Sequence, residues 1–298
     1  MDAHARMQRS LLGVSLGDAF GERFFGHQGQ AVQQMVADRT LPAAPWPVTD
    51  DTMLALGVVD CLTEDGTIEP RRLQARLHAR YRWDTHRGYG YGMHKLFGDI
   101  EAGRDGMQAA AEMFGGTGSM GNGSAMRVAP LGAFFADDPV RCAEEAARSA
   151  MATHQHAEGV AGAVATAVTT AMLWCLRDEE DPSDAIFEAV LAACGPGEVR
   201  EGLDKAAGLS RTIDAPIAAL HLGSGQRILA QDTVPYCVWV ALQHRSSLEE
   251  ALWQTVSGLG DRDTTCAIVG GMLAASVPES TIPREWLAFR AGPDLPDL

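Results

Sequence analysis

Two short runs of carboxylates and hydroxyls, Thr49-Asp50-Asp51-Thr52 and Asp261-Arg262-Asp263-Thr264-Thr265, stand more than two hundred residues apart in this sequence. Adjacent carboxylates flanked by hydroxyls are compact sets of hard oxygen donors, the kind Mg²⁺ and Mn²⁺ prefer. Each run also lies where a loop enters an apolar helix, MLALGVVDCL after the first and CAIVGGMLAAS after the second. Capping of the helix start and a favourable interaction with its dipole therefore explain each run taken alone. The second run asks for more than a cap, because its D-x-D-T spacing and the glycines at 258 and 260 suggest a backbone shaped to gather oxygens. If the two helix starts face each other, six oxygen-bearing side chains could bracket two cations about 3.5–4 Å apart. Without cations the carboxylates would repel one another and their pKa values would rise.

A glycine-rich stretch, Gly115 to Arg127 (GGTGSMGNGSAMR), contains G-x-G-x-x-G from Gly116 to Gly121. As a dinucleotide fingerprint it should follow a strand, whereas the preceding MQAAAEMF reads as helix. Glycines there can still let backbone N–H groups approach a diphosphate, with a following helix presenting its positive end. A flexible surface turn is the plainer reading. Arg127 has two readings, a phosphate ligand or a partner that screens the acidic runs. Thr153-His154-Gln155-His156 opens a long apolar segment, with Thr153 as its cap. His154 is either a satisfied polar group or a contact to phosphate or ribose, and no HExxH pattern supports a zinc enzyme. Asp18 lies in GVSLGDAFGE among apolar and small residues, and a buried carboxylate needs a partner or a cation. It either bonds a helix end or supports the metal site from behind.

The elements that must position these residues read as helices. Leu73, Leu77 and Tyr81 recur four apart after Pro70, and further helices are predicted at 138–153, 156–177, 183–194, 198–209, 246–257 and 263–276. Only Val234 to Val240 carries β-type residues in a row, and loops are expected at 26–48, 84–92, 115–124, 178–183 and 221–226. The expectation is an all-α, single-domain orthogonal helical bundle over residues 1–298. The 18 uncharged residues Gly159 to Leu176 are long enough for a membrane span, but Ala, Gly and Thr dominate them, and we read a buried central helix. With 24 basic against 39 acidic residues the formal charge is −15, which opposes direct binding to nucleic acid or anionic membrane. Six scattered cysteines form neither a zinc nor a disulfide pattern, and the N-terminus has no signal-peptide pattern, so the cytoplasm is expected.

Taken in order, GDAFG at 17–21, TDDT at 49–52, GSMGNGSAMRVAPLG at 118–132 with TH at 153–154, and GDRDTT at 260–265 resemble the ADP-ribosylglycohydrolase family, including the dinitrogenase-reductase-activating glycohydrolases. The resemblance implies an all-helical fold and two divalent cations, Mg²⁺ or Mn²⁺, held by Thr49, Asp50, Asp51, Asp261, Asp263 and Thr264. It implies phosphate and ribose contacts from Gly118, Ser119, Met120, Gly121 and Asn122, with His154 near the diphosphate. The sequence departs from the family at Phe25, where many members carry a glutamate acting near the scissile bond. Glu22, one turn after Asp18, is the nearest carboxylate. Either Glu22 substitutes, or a metal-ligating aspartate carries the proton transfer, or the protein binds ADP-ribose with little turnover. Position 120 is Met where some relatives carry an aromatic.

The expected reaction is hydrolysis at the acceptor-linked ribose through an oxocarbenium-like transition state, with Asp51, Asp263 and Glu22 as the catalytic carboxylates. Expected partners are an ADP-ribosylated protein or a small ADP-ribosyl conjugate. The alternatives are a non-catalytic ADP-ribose or nucleotide binder of the same fold, and a nicotinamide-dependent oxidoreductase, which would need a parallel sheet.

Overall fold

Helix starts follow capping chemistry written locally in the sequence. Asp2, Thr49, Glu69, Asp105, Asp138, His156 and Ser247 each precede a helix and accept a backbone N–H from its first turn. In the computed structural model, which describes residues 1–295, the chain forms sixteen α-helices. These are α1 (Ala3–Glu22), α2 (Gly29–Asp38), α3 (Asp50–Asp65), α4 (Pro70–Trp83), α5 (Tyr91–Glu101), α6 (Gly106–Gly116), α7 (Ala129–Phe134) and α8 (Pro139–Met151). They continue as α9 (Ala157–Cys175), α10 (Ser183–Ala193), α11 (Glu198–Ala207), α12 (Ala215–Leu222), α13 (Ala230–Gln243), α14 (Leu248–Ser257), α15 (Arg262–Ala274) and α16 (Arg284–Leu287). Among the described residues the only sheet is a two-residue parallel pair, β1 (Trp46–Pro47) with β2 (Arg290–Ala291). The all-helical expectation holds, and the predicted helices after Pro70 and at 138–153, 156–177, 183–194, 198–209, 246–257 and 263–276 are α4, α8, α9, α10, α11, α14 and α15.

The centre of the bundle is the seam between α1 and α15, and it is made of backbone. A Cβ on Gly13 would stand 2.1 Å from the Gly270 carbonyl oxygen, one on Gly17 2.0 Å from that of Cys266, and one on Gly21 2.2 Å from that of Arg262. No rotamer relieves such overlaps, so the helices must separate if any of the three glycines gains a side chain. Gly17→Ala is therefore expected to cost about 3 kcal/mol, at the upper end of overpacking penalties, and to lower the midpoint of thermal unfolding by on the order of 10 °C. A melting curve matching wild type would show that the two helices are not locked this closely.

Around the seam one continuous apolar core joins nearly every helix. The long apolar α9 passes the length and composition test for a membrane span, yet most of it is buried against α7, α8, α10 and α13. One weak strand signal gives way to the all-helical expectation, and one expected loop is corrected. Val234 to Val240 lies within α13, whose residues from Ala230 to Leu242 are all buried; burial on every side, rather than β-type side chains, decides its conformation. The region 26–48, expected as loop, contains α2, which buries only Val32 and so leaves almost no apolar periodicity to read.

The segment before the first acidic run is held by the far end of the described chain. Trp46 N donates to the Phe289 carbonyl at 2.7 Å and Val48 N to that of Ala291 at 3.1 Å. Trp46 also joins Phe20, Trp253 and Trp286 in one aromatic cluster, with Phe20 stacked on Trp286 at 4.6 Å between centroids.

Candidate active site

The first acidic run is a helix cap with a second function built behind it. Thr49 caps α3, its Oγ1 accepting Asp51 N at 3.4 Å. The fully buried Asp18 of α1 then accepts Thr49 N at 2.9 Å, Thr49 Oγ1 at 2.8 Å, Thr52 N at 3.1 Å and the Thr52 hydroxyl. Asp18 thus bonds a helix end, the first of the two readings its sequence context offered, and that helix end carries the first acidic run. Because Asp18 follows Gly17 in the α1–α15 seam, and Gly21 touches the backbone of Arg262 and Asp263, one rigid contact registers both acidic runs.

Capping does not explain the second run. Asp261 is the N-cap of α15 but its side chain makes no capping bond. Its Oδ2 accepts from Asn122 Nδ2 at 2.7 Å, and its N–H donates to the Ser224 carbonyl at 3.0 Å. Asn122 also reaches Thr233 Oγ1 at 3.2 Å, so the glycine-rich segment, α13 and the second run meet at one amide.

Electrostatics record the convergence. Burial, then the charges of Asp18, Asp261 and Glu22, push the Asp50 carboxyl up to about 8. Burial, then Asp263, Asp18, Asp50 and Asp261, push Asp51 well above the carboxylate range. Burial and the neighbouring Asp261 and Asp18 do the same to Asp263. Glu22, half-buried, is raised by burial and by Asp18 and Asp261. Among the described residues no ion pair reaches Asp18, Asp50, Asp51, Asp261 or Asp263. Asp51 Oδ1 is buried without a hydrogen-bond partner.

A buried, mutually repelling set of hard oxygens with an orphaned lone-pair donor and no counter-cation fits divalent cations better than any protein partner. Among the described residues, no three acidic, His or Cys side chains already close a finished cage. Thr49, Asp50 and Asp51 form one jaw; Asp261, Asp263 and the buried Thr264 form the other.

The glycine-rich loop leaves α6 through residues 113–115, whose φ/ψ are non-helical, and Gly118 keeps φ +74. It is pinned along α13's approach: Asn122 N donates to the Ile228 carbonyl at 3.3 Å and Ala230 N to that of Met120 at 3.0 Å. Gly121 N donates to Ser119 Oγ at 3.2 Å. The loop runs into the short 3₁₀ turn Asn122–Ser124 rather than an α-helix, which corrects the expected helix N-terminus. His154 lies buried beneath it: a Cβ on Gly121 or Gly123 would come 3.3 or 3.2 Å from Nε2. Thr153 does not cap α9; its Oγ1 meets His154 Nδ1 at 2.7 Å, and His156 is the cap. Arg127 does not screen the acidic runs: its guanidinium is fully buried, donates to the Ser149 carbonyl at 2.8 Å and has no carboxylate partner among the described residues.

Two residues missed at the sequence level flank this loop. Phe114 is 56% exposed at φ +52 and Ile228 is 61% exposed at φ +56. A bulky residue in the left-handed region is costly and calls for a reason. The only local signal is that each sits beside or near glycines, Phe114 before GG and Ile228 after GSGQR. Phe25 stands at the rim, 46% exposed, with the Arg262 guanidinium 5.0 Å from its ring. A cleft of about 1090 Å³ opens there, lined by Phe25, Asp261, Arg262 and the loop through Ile228.

The ADP-ribosylglycohydrolase family model matches residues 1–296. The ADP-ribosylhydrolase ARH3 of Homo sapiens is 26% identical over 323 residues, covering 95% of this chain and 88% of that protein. The ARH3 of Danio rerio is 28% identical, covering 98% and 88%. A solved structure described as an ADP-ribosylglycohydrolase-related protein complex superposes with a TM-score of 0.65 at 22% identity, covering 97% of this chain and 93% of that one, and shows the same fold.

Proposed function

This chain belongs to the ADP-ribosylglycohydrolase family, and from that premise we propose that it is a metal-dependent hydrolase that frees ADP-ribose by cutting the glycosidic bond between the ribose and its acceptor. The observation that carries the reading is the bond between the glycine-rich loop and the second acidic run, Asn122 Nδ2 to Asp261 Oδ2, beside a first run whose Asp50 and Asp51 carboxyls are raised by burial and by the charges of neighbouring carboxylates that include Asp261. Two divalent cations, Mg²⁺ or Mn²⁺, would be held by Thr49, Asp50, Asp51, Asp261, Asp263 and Thr264, and when bound supply charge neutralisation and Lewis acidity beside the sugar.

The chain's own residues do the rest. Gly118, Ser119, Met120, Gly121 and Asn122 contact the phosphates and ribose; the backbone N–H groups of Gly118, Gly121 and Asn122 are spent on bonds that shape the loop, which leaves those of Ser119 and Met120 for the diphosphate, with His154 Nε2 beneath them. Phe114 and Ile228 offer apolar faces to the base, which accounts for two hydrophobic side chains held exposed. Asp51 and Asp263 take the proton of the attacking water and stabilise positive charge developing on the ribose. Glu22 stands in for the carboxylate missing at Phe25; its raised pKa lets it deliver a proton to the departing acceptor atom. The acceptor, a protein side chain or a small conjugate, leaves through the cleft beside Phe25 and Arg262. We place this work in one domain in the cytoplasm, where six unpaired cysteines stay reduced.

Phe25 favours one other reading, a binder that holds ADP-ribose without releasing it from anything. A panel of ADP-ribosyl-arginine, ADP-ribosyl-serine and O-acetyl-ADP-ribose, assayed with Mg²⁺, with Mn²⁺ and with chelator, separates the two. Hydrolysis predicts free ADP-ribose from at least one conjugate and loss of release in chelator. Calorimetric heat with ADP-ribose but no release from any conjugate would establish the binder, and unchanged release in chelator would rule out the metal centre.

A further inference from the structure

The fully buried Arg127 guanidinium has one hydrogen bond, from NH2 to the Ser149 carbonyl, while Nε and NH1 have no partner. Burial lowers its pKa to about 9, which still leaves the charge in place at neutral pH. An unpaired buried charge is expensive, and a fold keeps one where something arrives to compensate it. Ser149 lies one turn before the end of α8, and the next residue, Ala150, accepts His154 N at 2.7 Å. The His154 ring lies against the glycine-rich loop, with Nδ1 bonded to the Thr153 hydroxyl and Nε2 close to Gly121 and Gly123, and within reach of the Arg127 charge.

We propose that Arg127 is a positioning residue for the anionic ligand: from within reach of the His154 ring, it supplies the positive field that a diphosphate lying on Gly118–Asn122 requires. The loop carries no Lys or Arg of its own, and the acidic runs beside it repel an anion. The field also fixes the imidazole. Burial, and then the Arg127 charge, hold His154 at a pKa of about 3, so the ring is neutral, with Nδ1 bonded to the Thr153 hydroxyl and Nε2 facing the loop. Arg127 is the charged group that acts on His154. His156 and Glu158, two and four residues on, are turned elsewhere: His156 Nδ1 caps α9, and Glu158 holds the backbone N–H groups of Glu198 and Val199 at 2.8 Å each.

This inference rests on the diphosphate-binding role given to the loop, and the test separates the two. Affinities of ADP-ribose and of adenosine are measured by calorimetry with saturating Mg²⁺ for wild type, Arg127→Met and Arg127→Lys, at pH 5.5 and 8, with the His154 imidazole followed by NMR. The expected result is a loss of at least tenfold in ADP-ribose affinity at pH 8 in Arg127→Met, no change for adenosine, and recovery in Arg127→Lys. Freed of its neighbour, His154 in Arg127→Met gains a proton at a higher pH than in wild type, while burial, the larger cause, still holds it below its ordinary value; a merely structural arginine would not move that titration. Equal losses for both ligands, or none, overturn the proposal. Failure of wild type to bind ADP-ribose overturns the functional reading beneath it. Should Arg127→Met not fold, Arg127→Lys and wild type still decide. An imidazole that titrates near its ordinary value in wild type, or Arg127→Lys losing affinity for both ligands alike, refutes the idea.

Discussion

On the proposed function, Asp51→Asn and Asp263→Asn are each expected to lower hydrolysis by about a thousandfold at saturating Mg²⁺, while the metal-free variants melt no earlier than the metal-free wild type. A thousandfold is about 4 kcal/mol of transition-state stabilisation, the scale expected when a jaw of a two-cation site loses a charged ligand beside the reacting sugar. Stability moves the other way because each carboxyl is buried and repelled by its neighbours: Asp51 by Asp263 and Asp18, Asp263 by Asp261 and Asp18. An isosteric amide keeps the shape and removes one term of that repulsion. Steady-state release of ADP-ribose and calorimetric melting in chelator check the pair of effects. Variants that melt much earlier and lose activity in proportion would mark these aspartates as structural and end their catalytic assignment.

The second large effect is a link between protons, cations and stability. A carboxyl whose pKa is higher in the folded state than in the unfolded chain binds extra protons when native. Its contribution is complete below the unfolded value near 3.8 and is lost as pH rises through the folded one. For Asp50 the window runs from about 4 to about 8, and Asp51 and Asp263, also raised, contribute with the same sign. The metal-free protein should lose stability from pH 5 to pH 8, its unfolding midpoint falling by on the order of 10 °C, with millimolar Mg²⁺ or Mn²⁺ abolishing most of the fall. Scanning calorimetry at both pH values, with cation and with chelator, measures it. A metal-free protein more stable at pH 8 than at pH 5 would mean that the five aspartates do not crowd one another.

Sequence legibility followed the range of the interactions. The Thr49 cap and apolar stretches such as α9 are local facts and were readable, whereas the cap read at Thr153 belongs to His156. The acidic runs were readable as donor chemistry, but their meeting depends on a glycine seam whose closeness only packing reveals. Val234–Val240 misled because side-chain type carries less weight than burial on every side. Phe114 and Ile228 escaped notice because a left-handed backbone is imposed by tertiary structure, not by the residue itself. Of the two readings of Arg127, the screening one fails because burial and its bond to the Ser149 carbonyl, both tertiary facts, keep it from any carboxylate among the described residues.

The pairing of residues 290–291 with 46–47 carries a consequence for biosynthesis. The strand that steadies the entrance to α3 finds its partner only after some 240 further residues have been made, and α15 too is translated late. A nascent chain on the ribosome therefore carries Asp50 and Asp51 for most of its synthesis before Asp261 and Asp263 have been made.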